Sequence, residues 1–263
     1  MDLQLKDKKA LVAGSSRGLG HAIARGLALE GCRVAINSRN QDNVVKAAQK
    51  LTAETGVEVI PLVGDVADPT SPEDLVRNTV ETFGGLDLLV TNSGGPPVGK
   101  FEDFDDATWQ NAIELTLLSH VRMIREALPH LRQSSAASVL TITSYSVKQP
   151  LPNLVLSNSI RAATVGLTKS LTLELGSDDI RFNSILPSWT ITERVYELMS
   201  HRAQLTGTTV EEEMAKQSKE SPLGRMAQPE EFANAAVFLL SPAASYITGV
   251  MLTVDGGMYK GTF

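Results

Sequence analysis

The sequence predicts an α/β protein: a doubly wound parallel sheet of about seven strands with helices on both faces. Three observations carry that expectation. Short apolar runs alternate with helical patterns from one end of the chain to the other. The first run, 10–13 (Ala10, Leu11, Val12, Ala13), passes directly into a glycine-punctuated turn, Gly14-x-x-x-Gly18-x-Gly20, and then into a helix. No Pro/Gly/Ser-rich linker and no repeat divides the chain, so residues 1–263 read as a single domain.

In order, the first helix covers about 19–30, with Leu19, Ile23 and Leu27 at helical spacing. A second strand at 33–37 precedes a polar helix at 41–55, and a third strand at 57–63 precedes a helix at 71–83. The unbroken apolar run at 86–91 is a strand buried on both faces. A long helix follows at 106–132, with a break expected near Pro129. Then come a strand at 138–143, a helix at 153–175, a strand at 181–186, a helix at 229–240 and a last strand at 251–254. The stretch from about 188 to 224 is polar, mixed in charge and too long for an ordinary connection, so it reads as a substrate lid. Within it, Glu211, Glu212 and Glu213 read as a solvated helix face.

Composition excludes several classes. With 24 Lys and Arg against 30 Asp and Glu the net charge is −6, which offers nucleic acid no basic face. Cys32 is the only cysteine, so no internal disulfide forms, and it reads as a buried thiol in a reducing compartment. The first ten residues lack the apolar core of a signal peptide, and no apolar run reaches membrane-spanning length. A soluble, cytoplasmic protein with no membrane partner is expected. The histidines His21, His120, His130 and His201 lack metal-ligand spacing, so surface or capping roles are expected and no metal site.

The glycine turn carries the chemistry. Gly14 permits the tight turn, Gly18 lets the backbone approach a pyrophosphate, and Gly20 lets the helix pack on the strand. The helix N-terminus then offers free N–H groups and a positive dipole end to the phosphates. Ser16 and Leu19 complete the loop around that ligand. At the end of the second strand, an acidic residue would bond a ribose 2′-hydroxyl and repel a 2′-phosphate. Ser38 and Arg39 stand there instead, with Arg17 inside the turn, and two guanidinium groups with a hydroxyl suit a phosphate dianion.

The glycine spacing resembles the short-chain dehydrogenase/reductase (SDR) family, and in particular its 3-oxoacyl-ACP-reductase-like members. Later motifs extend the likeness from about Lys6 to Gly257. The resemblance implies a Rossmann fold and a small-molecule carbonyl or alcohol substrate. The arginines at the matching places imply NADP(H) in preference to NAD(H). It also implies adenine contacts at Asp65 and Val66, and a ribose turn at Asn92 and Gly94, where glycine replaces the family's alanine. Pro187, Thr190 and Thr192 match the segment that holds the nicotinamide carboxamide, with Ser188 in place of a glycine. Asp255, Gly256 and Gly257 match the closing turn. In the family the two long helices pack against a neighbour, so a homo-oligomer, most simply a tetramer, is implied.

The resemblance departs at the catalytic tetrad. The run Gly166-Leu167-Thr168-Lys169-Ser170-Leu171 sets the register against the family helix. The carbonyl-polarising serine then falls on Ser144, the tyrosine on Ser157 and the lysine on Arg161; counted from Trp109, which matches a tryptophan at the start of the family's long helix, the relay asparagine falls on Thr116. None of Tyr145, Tyr196, Tyr246 and Tyr259 is followed four residues later by lysine. Tyrosine titrates near ~10 and a neighbouring cation brings it toward neutrality; an aliphatic hydroxyl is a far weaker acid. Ser157 is therefore a poor proton donor, and Arg161 binds ribose hydroxyls or an oxyanion without releasing a proton. Arg161 counts as both a catalytic and a cofactor-binding candidate. Lys148, in the loop after Ser144, is the substitute donor the sequence offers. Tyr145 should point away from Ser144 if the strand still runs there. Two functions fit: an NADP(H)-dependent SDR oxidoreductase with an atypical tetrad, or an SDR-like nucleotide-binding sensor or subunit partner without turnover.

Overall fold

The computed structural model describes residues 1–262. Seven strands form one parallel sheet in the order β3-β2-β1-β4-β5-β6-β7. They are β1 (Lys9–Val12), β2 (Arg33–Ser38), β3 (Val59–Val63), β4 (Leu88–Thr91), β5 (Ser138–Ile142), β6 (Arg181–Pro187) and β7 (Met251–Val254). The chain winds outward from β1 to β3 and then reverses to β4, so a crevice opens between the carboxyl ends of β1 and β4.

Helices cover both faces. Helices α1 (Gly18–Leu29), α2 (Gln41–Thr55) and α9 (Pro229–Leu240) bury Ile23, Leu27, Leu51 and Phe232 against one side of the sheet. On the other side lie α3 (Ser71–Phe83), α5 (Ser119–Leu131) and α6 (Val155–Leu175), over Leu11, Leu89, Val139 and Phe182. Strand alternation explains the split, since Leu88 and Val90 face α9 while Leu89 faces α5. The unbroken apolar strands follow from burial on both faces. Arg181 ties β6 to α9 by donating to the carbonyls of Leu239 and Leu240 at 2.6 and 2.8 Å. Cys32 is buried, as expected, its thiol 3.2 Å from the Leu5 carbonyl and pushed up to about 12 by burial.

Four expectations need correction. The long helix is interrupted at Glu114–Leu118, a π-helical turn between α4 (Asp106–Ile113) and α5, rather than near Pro129. Pro129 lies in the last turn of α5, where little of the hydrogen-bond ladder remains to be broken. The stretch read as a loop carries α7 (Glu193–Thr206) and α8 (Val210–Ser218), an antiparallel pair over Val195, Met199 and Met226. Glu213 is buried rather than solvated, accepting from the Thr208 hydroxyl at 3.0 Å. His120 is buried too, with no capping role.

Candidate active site

The turn after β1 is built from the strands outward. The Gly14 N–H donates to Asn37 Oδ1 at 3.2 Å, and Asn37 Nδ2 donates to the carbonyls of Leu62 and Gly64. Asn92 Nδ2 donates to the Gly14 carbonyl at 3.0 Å, so two asparagine side chains clamp the turn from either side. Ser15 closes it by donating to the Val12 carbonyl at 2.6 Å. Gly14 has φ 55°, and a Cβ on Gly20 would lie 2.5 Å from the Gly14 carbonyl oxygen. Only glycine fits at either place. No side chain caps α1, so its first N–H groups face the crevice free.

A cleft of about 580 Å³ runs along the crevice. It gathers the sequence candidates Gly14, Ser16, Arg17, Gly18 and Leu19 from the turn, and Ser38, Arg39, Asp65 and Val66 from the ends of β2 and β3. Asn92 and Gly94 line its centre; Pro187, Thr190 and Thr192 line the far side. Gly20 packs beneath instead of lining it.

Several of these groups have partners. Arg39 lies 3.9 Å from Asp65, and Arg17 lies 3.4 Å from Glu197 on α7. Ser38 Oγ accepts from the Asn40 N–H, and the Asp65 carboxylate accepts from the Ala67 N–H. Both arginine pairs are solvent-facing and weak, so a phosphate could displace either carboxylate. Asn92 lines the cleft with its side-chain amide spent on the Ala13 and Gly14 carbonyls.

The inner end of the cleft brings Ser144, Ser157 and Arg161 together. Ser144 caps a short 3₁₀ turn, Tyr145–Val147, by accepting from the Ser146 N–H at 3.2 Å. Ser157 and Arg161 project from the first turns of α6, whose approach is held by Asn158 donating to the Leu151 carbonyl at 2.9 Å. Arg161 is only 7% exposed and donates to the carbonyls of Ile142, Thr143 and Gly94 at 3.3–3.4 Å. Burial lowers its pKa to about 10, so it remains a cation near neutral pH.

Three candidates stand elsewhere than the sequence suggested. Lys148 does not line the cleft; its ammonium sits over the Tyr259 ring, 5.2 Å from the centroid, because the 3₁₀ turn carries the chain away. Tyr145 does line the cleft, since β5 ends at Ile142 and strand alternation no longer applies; burial raises its pKa. Thr116 is turned inward at the π-helical segment, donating to the Ala112 carbonyl, and Leu115 lines the cleft in its place. Sequence reading missed Asn37 and Asn158. Asn37 had a signal, being a polar residue in an apolar strand.

Among the described residues no group of His, Cys, Asp or Glu could hold a metal. Nor is any helix among the described residues long and apolar enough to cross a membrane.

A parallel sheet wound on both faces, with a glycine turn at its switch point, defines a Rossmann-type protein. Residues 13–259 match the family described as Enoyl-(Acyl carrier protein) reductase. The chain is 35% identical over 254 residues to the rabbit (Oryctolagus cuniculus) dehydrogenase/reductase SDR family member 4, covering 96% of this chain and 94% of that protein. It is 34% identical to an L-rhamnose 1-dehydrogenase (NAD(P)(+)) from Sphingomonas, covering 97% of each. The L-sorbose reductase of Gluconobacter frateurii, solved with NADPH and L-sorbose, superposes with a TM-score of 0.95 at 33% identity, over 99% of this chain and 100% of that one. The chain belongs to the short-chain dehydrogenase/reductase family and is an oxidoreductase of that type.

Proposed function

We propose that the protein interconverts a carbonyl and an alcohol with NADP(H) in preference to NAD(H), through an atypical tetrad. The observation that carries this reading is the inner end of the cleft. There a buried guanidinium and two serine hydroxyls lie at the end of a groove that begins at an uncapped helix N-terminus. The relatives support it: one was solved with NADPH and a keto sugar, another is named for a sugar dehydrogenation.

The residues present fit a dinucleotide. The clamped turn and the free N–H groups of α1 would bind the pyrophosphate. Arg17, Ser38 and Arg39 would take a 2′-phosphate, Asp65 and Val66 the adenine, and the Asn92–Gly94 backbone its ribose. Pro187, Thr190 and Thr192 would hold the carboxamide. A bound nicotinamide supplies or accepts the hydride. Ser144 polarises the substrate oxygen, and Arg161 binds ribose hydroxyls or the developing oxyanion. Ser157 supplies shape rather than acid, and Arg161 keeps its proton, so the proton comes from water.

Residues 1–263 form one domain on this reading, with 188–224 as a lid over the substrate. The exposed Leu173 on α6 and Ile113 on α4 fit a homo-oligomeric contact, most simply a tetramer. A cytoplasmic location fits the buried single thiol. The test is equilibrium titration with NADPH and NADH, followed by NADPH consumption across aldoses, ketoses and diketones. Equal cofactor affinities would remove the preference, and no consumption with any carbonyl would remove the activity.

A further inference from the structure

Arg161 and Arg181 are both drawn away from water, and burial alone lowers each to about 10. Their hydrogen bonds differ. Arg181 spends its two terminal nitrogens on four carbonyls, of Leu239, Leu240, Ser241 and Ala244, at 2.6–3.2 Å. Arg161 reaches three carbonyls at 3.3–3.4 Å, longer than such bonds usually run. Its Nε and one Nη2 hydrogen have no acceptor among the described residues. Those two donors sit on neighbouring nitrogens of a side chain that lines the cleft; Arg181 does not line it.

Arg161 also lacks a counter-ion, since no carboxylate offsets the effect of burial on it. Two carboxylates line the cleft, and both serve its phosphate end. Asp65 lies 3.9 Å from Arg39, and Glu193 acts on His21 in the first turn of α1. What adjoins Arg161 is more donors. Ser157 stands one helical turn before it on α6, with no hydrogen-bond partner among the described residues. Ser144 follows the Thr143 carbonyl that Arg161 holds; its oxygen accepts from the Ser146 N–H and its own hydrogen stays free. Around these groups the wall is apolar, with Val98, Leu115, Leu151, Leu154 and Trp189.

We propose that the substrate is an α-keto acid with an apolar side chain, its carboxylate held by Arg161 and Ser157 and its keto oxygen by Ser144. A carboxylate accepts at two oxygens and meets a guanidinium fork two-pronged. In an α-keto acid the two acceptor groups sit on adjacent carbons, as Ser144 adjoins the carbonyl that Arg161 holds. A neutral polyol would leave the buried charge unpaired. The turnover rests on the carbonyl-reduction reading above; the anion site does not. Reduction adds a hydride from the nicotinamide to the keto carbon. The C=O π pair moves to oxygen and takes a proton from water, and the carboxylate is unchanged.

Ketoisocaproate, its methyl ester and L-sorbose, compared as substrates at saturating NADPH, test the class. The acid should exceed the other two in kcat/KM by roughly tenfold or more. Arg161→Lys should keep most of that preference, and Arg161→Met should bring acid and ester level. Equal values for acid and ester in the parent overturn the proposal. So does an unchanged ratio in Arg161→Met with weakened NADPH binding, which would assign the charge to the cofactor alone. Calorimetric titration of the NADP⁺ complex with isocaproate, which has no keto group, reads the anion site without turnover. Saturable binding is expected, weaker by roughly tenfold in Arg161→Met and lost with isocaproamide. Carboxylate binding without turnover of any carbonyl upholds the site and overturns the reduction reading. Turnover of neutral carbonyls without carboxylate binding overturns the site and leaves that reading standing.

Discussion

Arg161 and Ser157 make opposite predictions although they are one helical turn apart. Arg161→Ala removes a charge-assisted donor and should weaken NADPH binding by about 1.5–3 kcal/mol, read by fluorescence titration. Ser157→Ala should change kcat little, because its hydroxyl is too weak an acid to carry the proton; abolished turnover would make it an activated group with its own base. Arg39→Asp should reverse the proposed preference for NADPH, since a carboxylate beside Asp65 would repel a 2′-phosphate and accept a ribose hydroxyl. His120 gives a pH signature. Burial first, and the Arg161 charge second, lowers its pKa to about 3. The unfolded ring, near ~6.5, therefore takes up a proton before the folded one. Its contribution to stability is complete above that value and declines as pH falls toward about 3. Between pH 7 and pH 4.5 the parent should lose about 2–3 kcal/mol more than His120→Leu in denaturant unfolding. Parallel losses would show that the ring does not stay neutral in the fold.

At the scale of elements, the first turn is held by strands rather than by its own residues. Gly20→Ala would drive a Cβ into the Gly14 carbonyl, 2.5 Å away, and neither backbone can yield without moving α1 off the sheet. A loss of about 1–3 kcal/mol in unfolding free energy is expected, with weaker NADPH binding. This turn was legible in the sequence because strand, glycine and helix signals are local. The π-helical turn at Glu114–Leu118 was not legible, since no residue there has a propensity for it and Thr116 and Ser119 merely donate back to the helix. The α7–α8 pair was also hidden. Its polar sequence carries only a narrow apolar stripe, made helical by packing on Trp189 and Met226.

For the whole molecule, ligand and assembly supply the readouts. Saturation with NADPH at a hundredfold excess over Kd should raise the unfolding free energy by about 2.7 kcal/mol, and thermal melts with and without cofactor will show it. Light scattering at micromolar concentration should give an oligomer mass; a monomer would leave the exposed Leu173 without the contact assigned to it.

The sequence by itself determined the strand order's raw material, the glycine turn, about half of the residues along the cleft, and the absence of a Tyr-x-x-x-Lys pair. Those features depend on spacing along the chain, on apolar periodicity, and on which residues tolerate a tight turn. Only the tertiary structure decided where Lys148 and Tyr145 point, that Arg161 is buried among carbonyls, and that His120 is buried. These depend on where β5 ends and on how α5 and α6 close over it. Such contacts join residues far apart in the chain, and no local pattern records which polar groups the packing will cut off from solvent.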